Sequence, residues 1–321
     1  MTNFKPYLLI TLCVLTTIRV SAYNRDPDYR KARVKGAQTL IELKVTDGEG
    51  APVAHANVHV LMGMNQRMKS YDIDGVTDTN GVFLICGKTT GNEIEISVSK
   101  ANHYLSQRKL CFISMGHEYK VIDGKWQPWG MRVPLVLRKI RKQAKLLFFT
   151  SPSREIPSTN TWIGVDLKCN DLVQPYGHGN VSDVVVKLDW DGRSLGDSDC
   201  CAVELAFPNP HDGGYFSSVV DESQFKYVYC AETNRIDVRN LKILWERYKD
   251  YRHLSNPRTK EASELVIRVR TQVDERGNIL SAHYGSIVCI YVSPRWCGSP
   301  TIRFVHAFNP ISNNVNLEYH E

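Results

Sequence analysis

The chain is punctuated by tight-turn residues at short intervals, and this limits it to folds built from short extended segments. Asp47-Gly48-Glu49-Gly50, Asn80-Gly81, Gly87 to Gly91 and Asp274 to Asn278 each interrupt runs in which apolar and polar side chains alternate. Glycine accepts the positive φ that a two-residue reversal needs, and Asn and Asp hydrogen-bond the backbone of the same turn. Between these points lie Thr39 to Val45, Asn57 to Met62, Val82 to Cys86 and Glu93 to Ser99; in the last, Ile94, Ile96 and Val98 share one face. Period-two alternation with one apolar face describes strands whose sheet packs against a second sheet. Arg132 to Leu137 is a further strand, and Pro134 within it points to an edge position.

The stretch VTDGEGAPVAHANVHV, followed by GVTDTNGVFLICGKTTGNEIEISVSKANHY, resembles the carboxypeptidase regulatory-like, or prealbumin-like, module. The matching positions are Val45, Asp47, Gly50, Pro52, Val53, Ala56 and Val58, then Thr77, Asp78, Gly81 and Phe83, and finally Tyr104. The resemblance covers about 37–140 and implies a seven-stranded Greek-key β-sandwich. It implies no chemistry, because such modules accompany enzymes, receptors and surface proteins alike. On local physics Asp78 is expected to be a turn cap for Asn80-Gly81, with a cation ligand as the alternative.

The N-terminus has the three parts of a secretory leader: Lys5, the apolar run Tyr7 to Ile18, and small residues ending at Ala22. A signal peptide is expected over 1–22. The apolar run is shorter than the roughly 20 residues a membrane span needs, and no later segment is long and apolar enough to be transmembrane. Removing Lys5 and Arg19 with the leader leaves 38 basic residues against 34 acidic ones, a surplus of four. Such a surplus, with no aromatic-interleaved basic groove, disfavours nucleic acid as a partner. Arg138 to Lys142 is a basic run that reads as a solvated connector. The other cysteines are Cys86, Cys111, Cys169, Cys200, Cys201, Cys230, Cys289 and Cys297. In an exported chain this even set permits disulfides, with Cys86 and Cys111 in the first domain and six in the second.

The remainder, 145–321, reads as a second β-rich, sandwich-like domain. Lys145 to Phe149, Trp162 to Leu167, Val181 to Leu188, Cys201 to Phe207, Leu265 to Val273, Ile279 to Val292 and Thr301 to Phe308 are its strand candidates. One helix is expected over about 237–251, because Val238, Leu241, Trp245 and Tyr248 recur at helical spacing behind Asp237. The strings GVDL, PYGHG with SDVVV, FPNPHDG and FNPISNNVNLEY resemble exported bacterial proteins in which a regulatory-like module precedes a β-rich domain of no assigned activity. That resemblance implies architecture and export and brings no catalytic residues.

Three constellations are candidate sites. Asp189, Asp191, Asp197 and Asp199 lie close together in LDWDGRSLGDSD and offer carboxylates for Ca²⁺, although the spacing departs from the EF-hand loop. His178 between two glycines, with His211 and Asp212 after Pro-Asn-Pro, offers ligand-binding groups that would need further partners to hold a metal. Trp126 and Trp129 would form a sugar-stacking platform if exposed together, or close the end of the sandwich if not. Asn180-Val181-Ser182 is a glycosylation sequon in a eukaryotic secretory host. No H-E-x-x-H occurs.

The sequence thus describes a mainly all-β, exported protein, periplasmic, on a cell surface or secreted, acting as a non-enzymatic binding or structural protein. The residues name no partner, a surface polysaccharide and a protein being the open alternatives, and no cofactor beyond Ca²⁺ is indicated. The alternatives are a carbohydrate-binding accessory protein using Trp126 and Trp129, and a hydrolase-like or metal-dependent enzyme with its site around His178, His211 and Asp212.

Overall fold

A computed structural model of the chain describes residues 27–63, 71–112, 120–189, 198–248, 263–293 and 299–319. The expected leader, 1–22, lies outside them. The chain divides into two compact units, one running to Ile140 and including Glu222–Gln224, the other comprising Arg141–Asp221 and Phe225–Glu321. Both are built of strands. The single helix among the described residues, α1 (Pro27–Lys35), carries Asp28 in its first turn and Arg33 and Lys35 in its last, which suits the helix dipole. It stops at Gly36, whose φ of 77° gives the left-handed cap and whose N–H donates to the Ala32 carbonyl.

The first unit contains β1 (Ala37–Thr46), β2 (Asn57–Met62), β3 (Tyr71–Val76), β4 (Val82–Thr89), β5 (Glu93–Ser99), β6 (Ser106–Cys111), β7 (Val121–Ile122), β8 (Lys125–Trp126) and β9 (Met131–Val136). One sheet runs β4-β1-β8-β7, with β9 also on β1; the other runs β3-β2-β5-β6. The expected seven strands are β1 to β6 and β9, and the two-residue strands β7 and β8 form a small added hairpin. Strand β9 pairs with β1 alone, so Pro134 sits on an edge where its missing N–H costs nothing. The inward residues of both sheets, among them Ile41, Leu43, Ile85 and Leu135 facing Val60, Met62, Ile94 and Ile96, form one core.

The punctuation residues close the turns as their chemistry dictates. Asp78 Oδ1 accepts from the Asn80 N–H at 2.9 Å and the Val82 N–H at 2.7 Å. Asp47 Oδ1 likewise accepts from the Glu49 and Ala51 amides. The buried Thr77 hydroxyl donates to the Val53 carbonyl and accepts from the Ala56 N–H. Gly81 combines φ of 71° with a close approach: a Cβ there would stand 2.4 Å from the Val45 carbonyl oxygen.

The second unit contains β10 (Leu147–Phe149), β11 (Arg154–Glu155), β12 (Ile163–Asp166), β13 (Asp171–Leu172), β14 (Val184–Asp189), β15 (Ser198–Ala206), β16 (Gly213–Ser218), β17 (Asn240–Tyr248), β18 (Ser263–Val273), β19 (Ile279–Ser293) and β20 (Thr301–Phe308). One sheet runs β10-β20-β19-β18-β16, with β11 also on β20, and the other β13-β12-β14-β15-β17. Val165, Val186, Val203 and Leu205 of the second sheet share a core with Leu265, Ile267, Val269, Ile302 and Phe304 of the first.

Three expectations are corrected. The helix over about 237–251 is instead strand β17, antiparallel to β15 from Asn240 opposite Ala206 to Tyr248 opposite Ser198. Leu241, Ile243 and Trp245 also fit a period of two, and a partner strand some forty residues away in sequence decided between the periods. Cys86 and Cys111 do not pair: they are exposed thiols on β4 and β6, in different sheets, and Cys169, Cys230 and Cys289 form no disulfide either. The basic run is not one solvated face: Arg138 is buried, Lys139 Nζ lies 4.0 Å from Asp47, and Arg141 stacks 4.1 Å from the Tyr229 ring centre.

Gly81→Ala is expected to lower the stability of the first unit by more than about 2 kcal/mol, since backbone strain and a backbone overlap combine. Gly124, with φ of 70° and nothing within 4 Å of a Cβ, supplies the control, and Gly124→Ala should cost about 1 kcal/mol. Urea unfolding of the two variants measures the difference; equal losses would show that the close approach at Gly81 is immaterial.

Candidate functional site

Strand β18 carries the irregularity from which the polar centre of the second unit grows. Its pairing with β19 shifts register between Val269 and Gln272, and Arg270 adopts φ of 57°. A bulge turns consecutive amides out of the ladder. Here the N–H groups of Arg270 and Thr271 donate to the two oxygens of Asp212, each at 2.9 Å. The Arg270 guanidinium forks onto Asp183, with Nε 2.7 Å from Oδ1 and Nη2 2.8 Å from Oδ2, and Nη2 also reaches Asp166 Oδ1 at 2.7 Å. The planar fork matches a carboxylate in two bonds, which lysine cannot do.

The carboxylates are then completed by backbone amides. Asp166 Oδ2 accepts from Asn180 and Val181, and Oδ1 from Lys168. Asp183 Oδ2 accepts from Leu167. All three acids are buried. Burial pushes the Asp166 carboxyl up, but the Asn180 and Val181 amides and the Arg270 charge outweigh it and hold the group below the usual carboxylate range. At Asp212 burial prevails over the Thr271 and Arg270 donors and raises the pKa. The Arg270 pKa is raised, chiefly by its bonds to Asp183. Beside them His306 is wholly buried, its Nε2 2.8 Å from the Leu167 carbonyl, and burial lowers its pKa, so Nε2–H donates from a neutral ring. Every carboxylate oxygen of the centre has a donor. Chemically the arrangement fixes charge and backbone, with all three acids buried.

The residues singled out from sequence are dispersed. Asp212 belongs to the Arg270 centre. His211, next to it, is exposed; its amide donates to Asn209 Oδ1 and its carbonyl accepts from Arg268. His178 is 98% exposed and belongs to another pair: its Nδ1 lies 3.2 Å from Asp171 Oδ2, while Asp171 Oδ1 lies 3.1 Å from Arg154 Nε. Gly177 and Gly179 serve the tight path of this loop, since a Cβ at either would fall within 3 Å of the Leu172 carbonyl oxygen. His178 thus bonds Asp171, whereas the amides of His211 and Asp212 both donate to Asn209. Among the described residues no group of three or more His, Cys, Asp or Glu is placed to hold a metal ion. Of the calcium candidates, Asp191 and Asp197 lie outside the described residues, Asp199 lies on β15, and Asp189 ends β14 with an exposed side chain.

The tryptophan platform does not form. Trp126 is fully buried, stacked on Phe112 at 5.5 Å, and its Nε1 donates to the Thr89 carbonyl. Trp129 is 38% exposed beneath Lys125 Nζ. Strand β8 turns the first ring into the core, so only the second meets solvent. Asp166, Asp183 and Arg270 were not among the candidates from sequence. Asp166 and Asp183 adjoin β-branched runs, which was a readable sign of buried acids; the bulge at Arg270 left none, because RVRTQV reads as plain alternation.

Arg270→Met should cost the second unit about 3–5 kcal/mol, because it strands buried carboxylates without a counter-charge. Asp166 has a lowered pKa in the fold, so its contribution is present above the unfolded carboxylate value of about 3.9 and is lost as pH falls through the lower folded value. Asp166→Asn should therefore flatten the acid limb of a stability–pH curve below about pH 4. Denaturant melts across pH follow both effects; an unchanged midpoint for Arg270→Met would show that the centre is not structural.

No family model matches the chain, and no curated protein matches it. Among solved structures, it is similar to 3-chlorocatechol 1,2-dioxygenase from Rhodococcus opacus 1CP, at 15% identity and a TM-score of 0.25, covering 32% of this chain and 60% of that one. The chain thus spans about 60% of that dioxygenase's length. It is also similar to a DUF3823 family protein from Parabacteroides merdae, at 6% identity and a TM-score of 0.22, covering 73% of this chain and 91% of that one. A third is BcpA, the major pilin subunit of Bacillus cereus, at 10% identity and a TM-score of 0.24, covering 83% and 95%. Scores at this level carry no argument about activity, ligand or partner.

Proposed function

We propose that the chain is an exported, non-enzymatic binding or structural protein whose first unit is a module of the carboxypeptidase regulatory-like type. The observation that carries the non-enzymatic reading is the closure of the Arg270 centre. Its three buried carboxylates, the groups best suited to acid–base work, are engaged by one guanidinium and by backbone amides. The module reading is supported by the roles of the matching residues. Asp47, Thr77, Asp78 and Gly81 each close a turn between the two sheets, and Tyr104 is buried. Export is supported by the basic, apolar and small-residue order of the first 22 positions. No described helix is long and apolar enough to cross a membrane.

Fractionation of a bacterial host making the whole chain, with N-terminal sequencing, tests export: the product is expected outside the cytoplasm and to begin at Tyr23. A cytoplasmic product still carrying Met1 to Ala22 would overturn that part. The purified mature chain, incubated with chromogenic esters, glycosides and peptides, should release no more chromophore than a heat-denatured sample; release above that level would overturn the non-enzymatic reading.

A further inference from the structure

On the outer side of the sheet β13-β12-β14-β15-β17, strand register lines up four side chains in one row. Ile163 pairs with Val186, which sets Trp162, one residue earlier, across from Lys187. Lys187 pairs with Glu204, and Glu204 with Lys242. The alternate residues Ile163, Val186, Val203 and Leu205 are buried in the core, so the row faces outward. Lys187 Nζ lies 5.1 Å from the Trp162 ring centre and 2.8 Å from Glu204 Oε2, and Lys242 Nζ lies 3.2 Å from Glu204 Oε1. Trp162 is nevertheless 45% exposed.

The adjacent outward row is low. Gly164, Val185 and Ala206 stand in register and end at Asn240. At Gly164 the floor is covered by Val173 and Ser182, whose atoms would lie 3.1 and 2.7 Å from a Cβ. The loop that supplies them also exposes Tyr176 and Val181. An aromatic ridge with fixed charges thus borders a shallow apolar floor with an amide at its far end. The strands beneath, β12, β14 and β15, are each paired on both sides, so their backbones are not open to an added peptide strand. Two ammonium groups against one carboxylate leave the row with a surplus positive charge.

We propose that this face binds an acidic polysaccharide, a chain of uronate sugars. The sugar's apolar ring face lies on Trp162 and the low floor, its carboxylates meet Lys187 and Lys242, and its hydroxyls bond Glu204 and Asn240. Aromatic faces and ammonium groups together supply stacking and charge recognition of this kind. The inference rests on the binding-protein reading above and names the ligand class for it.

Affinity electrophoresis of the mature chain in gels containing polygalacturonate, dextran or poly-L-glutamate tests it. Polygalacturonate should retard the protein and dextran should not. Trp162→Ala should weaken retardation about tenfold and Trp162→Phe much less, because a ring face remains. Lys242→Gln should weaken it and reduce its salt sensitivity. Unchanged thermal melting of the variants would show that the effect is not misfolding. No retardation by polygalacturonate, equal retardation by poly-L-glutamate, or full retention by Trp162→Ala would each overturn the site. Reducing ends released from polygalacturonate would instead overturn the non-enzymatic reading, a separate readout on the same sample.

Discussion

One guanidinium holds the second unit in its arrangement. Arg270 comes from one sheet, and the acids it bridges, Asp166 and Asp183, come from the end of β12 and the start of β14 in the other. Removing three carboxylates from water is costly unless each finds donors, and that requirement dictates much of the local geometry. The bulge in β18 exists at the point where two amides are needed for Asp212. The loops after β12 and before β14 run where Lys168, Asn180 and Val181 can donate to Asp166. An apolar core alone would leave the pairing of the two sheets weakly specified; a charge that is satisfied in only one geometry selects it.

The first unit meets the same requirement mainly with turns and hydroxyls. Its turn residues saturate the backbone at the reversals, and its two sheets meet across a largely apolar interior in which the buried Thr77 and Ser106 hydroxyls donate to backbone carbonyls. Trp126 follows the same rule. The largest ring in that core carries one N–H, and that N–H finds the Thr89 carbonyl.

What could be read from sequence follows this division. Alternation and turn chemistry are local, and they placed β1, β2, β4, β5 and β9 of the first unit, the edge position of Pro134 and the capping role of Asp78. Strand β17 was misread because its apolar residues satisfy two periods, and only the register with β15 separates them. Trp126 and Trp129 look equivalent in Trp-Gln-Pro-Trp, yet one ring is buried and the other is not. The Arg270 centre and the Trp162 row depend on contacts between residues up to 104 positions apart, and no short window along the chain contains them.

The parallel pairing of β1 with β9 has a mechanical consequence. These are the first and last long strands of the first unit, and they lie side by side in register from Ile41 opposite Met131 to Thr46 opposite Val136. Tension applied through the two ends of that module pulls the neighbours in opposite directions along their length. The interstrand bonds are then loaded together in shear and must give way as a set, whereas an antiparallel terminal pair would peel open one rung at a time.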